Sequence, residues 1–308
     1  MLESDRINMM AMLHDATAWY CQKYEVNNWP IAISIDIPNA CIRTGYIDED
    51  LPEPTVSLEE DSIVEVTSNV KFWNKCDAHR IFMDDPYTIK TLKPGAEITV
   101  RFGQIVMFCT EVVDSRTLKC QIARGGILRN AEFVCIRGFK IERPPLTKND
   151  MQMLTFAKKF KLDIVTMNSV RRPCTLTKVK EFFKDAGYLP LIISTICEQE
   201  GLDNIDDILE ESDGIILARE FLAHNIANKY QMISVQLLIS AKCRKMGKPF
   251  YISGNILEQT MLEGTISACD LSDITNAVLQ GAGFVLRSYN HPSNLIKTMK
   301  ILDSVCRV

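Results

Sequence analysis

The sequence predicts an α/β protein: strand–helix units building a parallel sheet, with a smaller β domain inserted near the start. Three observations predict it. From residue 146 onward, short apolar strands alternate with amphipathic helical stretches. Those strands are apolar nearly throughout, as strands covered on both faces are. Between about residues 46 and 145 the texture changes to short alternating runs and an acid-rich stretch, and no β–α unit is legible there. On pattern alone a closed barrel and a doubly wound sheet both fit.

Residues 3–26 read as a helix, and PIAISIDI (30–37) as the first buried strand. YIDEDLPEPTVSLEEDSIVEV follows, acidic and holding two prolines. It predicts a solvated loop, and its acids lack the spacing of a calcium loop. AEITVRFGQIVMFCTEVV and LKCQIARGGILRNAEFVCI alternate as β runs, with Gly125 and Gly126 marking a turn. Thr147 with Asp150 three places on forms a helix-opening cap. Five more strands follow: LDIVTMN (162–168), LPLIISTI (189–196), DGIILA (213–218), KPFYIS (248–253) and GFVLRS (283–288). Helical patterns over 176–187, 226–246, 271–281 and 293–306 separate or follow them, two of them ending at Gly187 and Gly247. Residues 1–45 and 146–308 are thus expected to form one domain, and 46–145 an insert.

With 308 residues, 46% of them hydrophobic, the chain can bury a full core. A net charge of −4 and the lack of a basic arm argue against nucleic acid. MLESDRINMMAML carries acids where a secretory leader carries positive charge, and no apolar run is long enough for a bilayer. The expected compartment is the reducing cytoplasm, with the eleven cysteines as free thiols. Cys109 and Cys120 are the closest pair in sequence and no CxxC occurs, which argues against zinc and redox motifs. His14, His79, His224 and His291 are scattered, in no recognisable catalytic setting.

Several long motifs, in order, resemble the pyruvate kinase family. IAISIDIPNACIRTG (31–45) resembles the strand leading into that family's lid, with Asp36, Ile42, Arg43, Thr44 and Gly45 matching. LTKNDMQML (146–154) is similar to the helix that returns to the barrel, and DIVTMNSVRR (163–172) to the next strand. IISTICEQEGLDNIDDILEESDGIILARE (192–220), RKMGKPFYISGNILEQTM (244–261) and LSDITNAVLQGAGFVLRS (271–288) resemble the later units. The resemblance implies a TIM-type (β/α) barrel with a small all-β lid, its site at the carboxyl ends of the strands. It also implies phosphoryl transfer from phosphoenolpyruvate to ADP with magnesium and potassium, where carboxylates hold the metal and a lysine meets the phosphoryl oxygens.

The matching positions do not carry that chemistry. The family's Ser-Lys-Ile-Glu-Asn falls on Ser194–Glu198, so the lysine becomes Thr195 and a magnesium glutamate becomes Cys197. Its Ala-Arg-Gly-Asp falls on Ala218–Phe221, so the glycine becomes Glu220 and the second magnesium carboxylate becomes Phe221. A hydroxyl cannot neutralise a phosphate, and a thiol is a poor ligand for a hard cation. The family's Ala-Thr-Gln reads Ser253, Gly254, Asn255, and its lid Asp-Asp-Gly reads Arg101, Phe102, Gly103. Thr-Lys-Gly after Asp36 reads Ile37, Pro38, Asn39, and the final Ser-Gly-Glu-Thr reads Ser288, Tyr289, Asn290, His291. Asp36, a potassium-ligand position, and Arg43, a phosphate-contacting position, remain. Each also has a plain role: Asp36 bonding local backbone, Arg43 pairing with the acidic run after it. Arg219 remains as well, with a structural role expected.

Six barrel strands are legible rather than the family's eight, and no counterpart of its C-terminal domain follows. The expected barrel is therefore incomplete, with exposed edges that invite pairing. The sequence-level expectation is a catalytically inactive pyruvate kinase-like pseudoenzyme with an interaction or regulatory role. Its expected partner is an active pyruvate kinase relative or a second copy through the barrel edges, and no cofactor is needed. The alternatives are a working glycolytic pyruvate kinase, using magnesium and potassium through Glu198 and Glu220, and a binding module that keeps nucleotide or phospho-metabolite affinity.

Overall fold

The computed structural model describes residues 3–28, 31–39, 41–51, 53–137, 144–226, 228–286 and 292–307. Helix α1 (Glu3–Tyr24) leads to β1 (Ser34–Ile37), and the chain then crosses into a second layer. There it forms β2 (Ile42–Arg43), β3 (Val56–Leu58), β4 (Ile63–Thr67), β5 (Arg80–Phe82), the short helix α2 (Pro86–Thr91), β6 (Glu97–Val100), β7 (Ile105–Asp114), β8 (Thr117–Arg124), β9 (Gly126–Leu128) and β10 (Phe133–Ile136). It returns through α3 (Lys148–Phe160) to β11 (Ile164–Met167), α4 (Cys174–Phe183) and β12 (Leu191–Ile196). Helices α5 (Gln199–Asp203) and α6 (Ile205–Glu211) precede β13 (Gly214–Ala218), α7 (Arg219–Asn225) and α8 (Met232–Lys245). The chain continues as β14 (Phe250–Ser253), α9 (Glu258–Glu263), α10 (Ala268–Leu279), β15 (Ala282–Val285) and α11 (Pro292–Cys306).

The strand order of the first sheet is β1-β11-β12-β13-β14-β15, every pair parallel. A doubly wound sheet reverses its order at a switch point. This one never does, so the barrel alternative holds: a curled, incomplete (β/α) barrel of six strands. Alternation along each strand divides the side chains. Val165, Met167, Ile192, Ile196, Ile215, Leu217 and Ile252 join the helix-facing core with Leu154, Val179, Phe183 and Ile239. Thr166, Ile193, Thr195 and Ile216 take the concave face, buried but outside that core.

The second layer is a seven-stranded sheet, β2-β10-β6-β7-β8-β4-β5, antiparallel except for β4 with β5, plus the β3–β9 pair. It has its own core, including Ile81, Ile98, Ile105, Met107, Leu118 and Ile122. Ile42 and Arg43 already pair with β10, so the crossing is complete before residue 46.

Three expectations need correction. Gly125 and Gly126 do not turn a hairpin: β9 leaves β8 to pair with β3, and a Cβ on Gly125 would stand 2.3 Å from the Leu58 carbonyl oxygen. The glycine is there for a close backbone approach. The expected helix over 226–246 is regular only over Met232–Lys245. The short helix α2 falls in a stretch expected to be β, although Asp85 accepts from the amides of Tyr87 and Thr88 and Pro86 opens the helix. The Thr147–Asp150 capping box is present as expected. Pro30, the end of GFVLRS, and Ser288, Tyr289, Asn290 and His291 lie outside the described residues.

Candidate functional site

The carboxyl ends of β1, β12 and β13 face the inserted layer, and the predicted site residues gather there around an aromatic wedge. Helix α7 starts directly after β13, which brings Glu220 and Phe221 into its first turn, both buried. The Phe221 ring packs edge-to-face on Phe133 at 4.7 Å and on Phe102 at 4.9 Å between centroids. Phe133 and Cys135 come from β10, and Phe102 from the turn between β6 and β7. Cys135, Cys197, Ala218 and Phe221 form one buried apolar cluster with Phe102 and Phe133 packed against it. Burial pushes the Cys197 thiol well above its ordinary range, and a charge on nearby Cys41 would push the same way. Burial raises Cys135 to about 12, with the Glu198 charge adding to it.

The wedge is held from the insert side by unusual backbone. Arg101, Phe102 and Gly103 all have positive φ, at 52°, 54° and 77°. A bulky residue rarely adopts that region, and here it directs Phe102 toward Phe221. Arg101 and Glu132 form an ion pair at 3.6 Å beside it. A Cβ on Gly103 would lie 2.8 Å from the His224 ring, which places His224 against this turn.

The other predicted positions are placed as follows. The Arg43 guanidinium does not turn to the acidic run: it stacks on the Phe133 ring, 3.8 Å from its centroid, and donates to the Ala131 carbonyl at 2.8 Å. Asp36 is exposed and lines a cleft with Arg43, Cys197 and Phe221. Thr195 is buried, and its Oγ1 has no hydrogen-bond partner among the described residues. Gly254 (φ +81°) lies against the Glu220 carboxylate. Glu198 is half-buried at the start of α5. Arg219 grips Asp273 with two hydrogen bonds of 2.7 and 2.6 Å, tying α7 to α10. Asn39 keeps the left-handed backbone (φ 49°) that a glycine would adopt. Sequence reasoning missed Phe133, Cys135 and Asn225, whose Nδ2 donates to the Cys197 carbonyl at 3.0 Å. No local motif marks them, because they reach the cluster from distant elements.

The family model described as pyruvate kinase, barrel domain, matches residues 3–292. The chain belongs to the pyruvate kinase family. It is 30% identical over 275 residues to pyruvate kinase of Kluyveromyces lactis, covering 88% of this chain and 54% of that protein. It is 29% identical over 259 residues to pyruvate kinase PKLR of Homo sapiens, covering 84% and 45%. Pyruvate kinase 1 of Saccharomyces cerevisiae is 29% identical over 275 residues, covering 88% and 54%. The chain thus spans about half the length of the relatives it matches.

Pyruvate kinase chemistry implies magnesium, and the residues present do not fit it. The positions that the resemblance aligns with the family's two magnesium carboxylates hold a buried phenyl ring, Phe221, and the Cys197 thiol, whose pKa burial pushes well up. Neither offers the hard oxygen that a small divalent ion takes. Among the described residues no three His, Cys, Asp or Glu side chains converge as a metal centre. No helix among them is long and apolar enough to cross a membrane.

Proposed function

We propose that this pyruvate kinase-family protein no longer transfers phosphoryl groups and acts in the cytoplasm through interaction with another protein. The single observation that carries the reading is the Phe221–Phe133–Phe102 wedge, which fills with apolar carbon the place where the family arranges charge. Loss of one charge-stabilising or acid–base group typically slows an enzyme about a hundred- to ten-thousandfold. Here Thr195, Cys197 and Phe221 remove three at once, and although such losses are not additive any one is severe. What weighs against the rival reading, turnover through Glu198 and Glu220, is that the Glu220 carboxylate is buried against Gly254. The test is a lactate dehydrogenase-coupled assay with phosphoenolpyruvate, ADP, magnesium and potassium. The expected result is no magnesium-dependent pyruvate above the buffer rate; turnover lost in a Glu198→Ala/Glu220→Ala double variant would reverse the conclusion. Calorimetry with ADP and phosphoenolpyruvate is expected to show no binding heat.

A further inference from the structure

We propose that Cys109 and Cys120, at the centre of the insert, are a reversible disulfide site that closes under a peroxide and reopens with a dithiol. The inference goes beyond the interaction role given above and does not depend on it. The pair has no redox spacing in the sequence; the fold supplies the juxtaposition instead. β7 and β8 run antiparallel, and Cys109 stands directly opposite Cys120 in their register. Both side chains enter the same apolar core, 2% and 0% exposed, and the two thiols are hydrogen-bonded to each other. An antiparallel ladder alternates between pairs that exchange backbone hydrogen bonds and pairs that do not, and side chains come closer in the second kind. The Cys109 N–H donates to the Ala96 carbonyl at 2.9 Å, and the Cys109 carbonyl accepts from the Gly95 N–H at 2.8 Å. Both backbone groups therefore point away from β8, and the cysteine pair is of the second kind. Cα atoms in such pairs stand about 4.5 Å apart, inside the window of about 4.4–6.8 Å that a disulfide spans. Rotation of the two side chains closes the bond with no change of register.

The ladder is irregular beside Cys109. Its register shifts between Cys109 and Glu111, which leaves Thr110 as an extra residue, and Thr110 and Glu111 are exposed. Cys109 Sγ lies 3.8 Å from the Glu111 carbonyl oxygen, under this bulge, where a molecule as small as a peroxide reaches it first. Burial raises both thiols, Cys120 to about 12, while the hydrogen bond from Cys120 favours the ionised form of Cys109. Cys109 is therefore the attacking sulfur and Cys120 the resolving one. The Cys109 thiolate takes one peroxide oxygen: an S–O bond forms, the O–O bond breaks, and hydroxide leaves to be protonated as water. The Cys120 sulfur then attacks Cys109: the S–S bond forms, the S–O bond breaks, and the Cys120 proton leaves with the hydroxyl as a second water. The two sulfurs supply the two electrons that reduce the peroxide, and a dithiol returns them. Strand order places the bond at the junction between β2-β10-β6-β7 and β8-β4-β5, so closing it ties the two parts of the insert's sheet covalently.

The experiment treats the full, folded and fully reduced chain with hydrogen peroxide, quenches it with maleimide in denaturant, and digests it with trypsin without reduction. Trypsin cuts after Arg101, Arg116, Lys119 and Arg124, so the two cysteines fall on separate peptides, residues 102–116 and 120–124. Only a disulfide holds those peptides together. The expected result is the linked pair by mass spectrometry, lighter than the sum of its parts by two hydrogens and released by dithiothreitol. Its rate of formation should not change with protein concentration, and the oxidised chain should unfold at higher urea than the reduced one. Cys120→Ser should abolish the linked pair and leave Cys109 as a sulfenic acid that dimedone traps. The main measurement uses the unmodified chain, so a poorly folding variant does not decide the matter. Absence of the linked pair under conditions that oxidise the exposed Cys174, Cys269 and Cys306 would overturn the proposal. So would a link that forms only in denaturant, a rate that grows with protein concentration, or sulfinic acid at Cys109 in place of the disulfide.

Discussion

The Glu220 carboxylate occupies the space that a side chain on residue 254 would need. A Cβ built on Gly254 would fall 1.3 Å from Glu220 Oε2, with the backbone there at φ +81°. In the pyruvate kinase pattern the first of these positions is glycine and the second threonine. Here Glu220 leaves no room for a threonine side chain at position 254.

Gly254→Ala should therefore cost about 2–5 kcal/mol, from left-handed strain and overpacking together. Adding Glu220→Ala should recover the overpacking part, a coupling of about 1–3 kcal/mol. Urea unfolding of the two single variants and the double variant measures it. Strict additivity would show that the carboxylate has room to move aside.

Phe221 is the keystone of the contact between the barrel and the insert. Truncating a buried phenylalanine typically costs about 3–5 kcal/mol, and Phe221 is 7% exposed. Phe221→Ala should lose that amount and also speed amide exchange in β10, whose Phe133 would lose its edge-to-face partner. Phe133→Ala should cost less when Phe221 is already alanine, because the rings share one cluster. Stability by chemical denaturation and exchange by mass spectrometry read the two effects.

The strands were legible because both faces are covered: a short run such as Ile215, Ile216 and Leu217, opened by Gly214, is too brief for a helix and too apolar for a loop. The Thr147–Asp150 box was legible because its chemistry is local. Asp85–Pro86 carried a helix-start signal just as local, but it lay in a stretch whose alternation reads as β throughout. Gly125 was misread since the demand on it comes from Leu58, far away in sequence. The departures from the family pattern at Cys197 and Phe221 were visible in the sequence, yet the surroundings of those side chains were not. Phe102 and Phe133 reach Phe221 only after two sheets have folded and met.

The buried thiols predict an alkaline limit to stability. Cys120 and Cys135 are raised from 9.0 to about 12, chiefly by burial, and burial raises Cys197 well above the ordinary thiol range as well. A thiol whose folded pKa exceeds its unfolded one stays protonated in the fold and ionises on unfolding. Its contribution is complete below pH 9 and falls as the pH climbs toward the folded value. Each such group should withdraw about 1.4 kcal/mol per pH unit in that window. Guanidinium unfolding under reducing conditions should thus show stability level in these groups from pH 7 to 8.5 and falling steeply above pH 9. Cys135→Ala should remove one group's share of that slope. In the folded chain at neutral pH, alkylation should mark the exposed Cys174, Cys269 and Cys306 first.

One carboxylate joins the outgoing and returning crossings between the layers. Asp150 is fully buried; its Oδ1 accepts from the Asn39 backbone N–H at 3.0 Å, on the way out. Its Oδ2 accepts from the Thr147 backbone N–H and hydroxyl at 2.7 Å each, on the way back. Asn39 is itself in the left-handed region, so it depends on such contacts to hold its conformation. Asp150→Ala would remove the reciprocal half of the capping box, its bonds to Thr147, at about 0.5–1.5 kcal/mol, and strand the buried Asn39 amide, at about 1–3 kcal/mol. The expected total is about 2–4 kcal/mol. Asp150→Asn should recover the Oδ1 contact but not both bonds to Thr147, because an amide nitrogen cannot accept. Its loss should fall between those of the unmodified chain and Asp150→Ala in urea unfolding. Limited proteolysis should then cut the crossing near residue 39 faster in Asp150→Ala than in Asp150→Asn; equal rates would show that the two crossings are held independently.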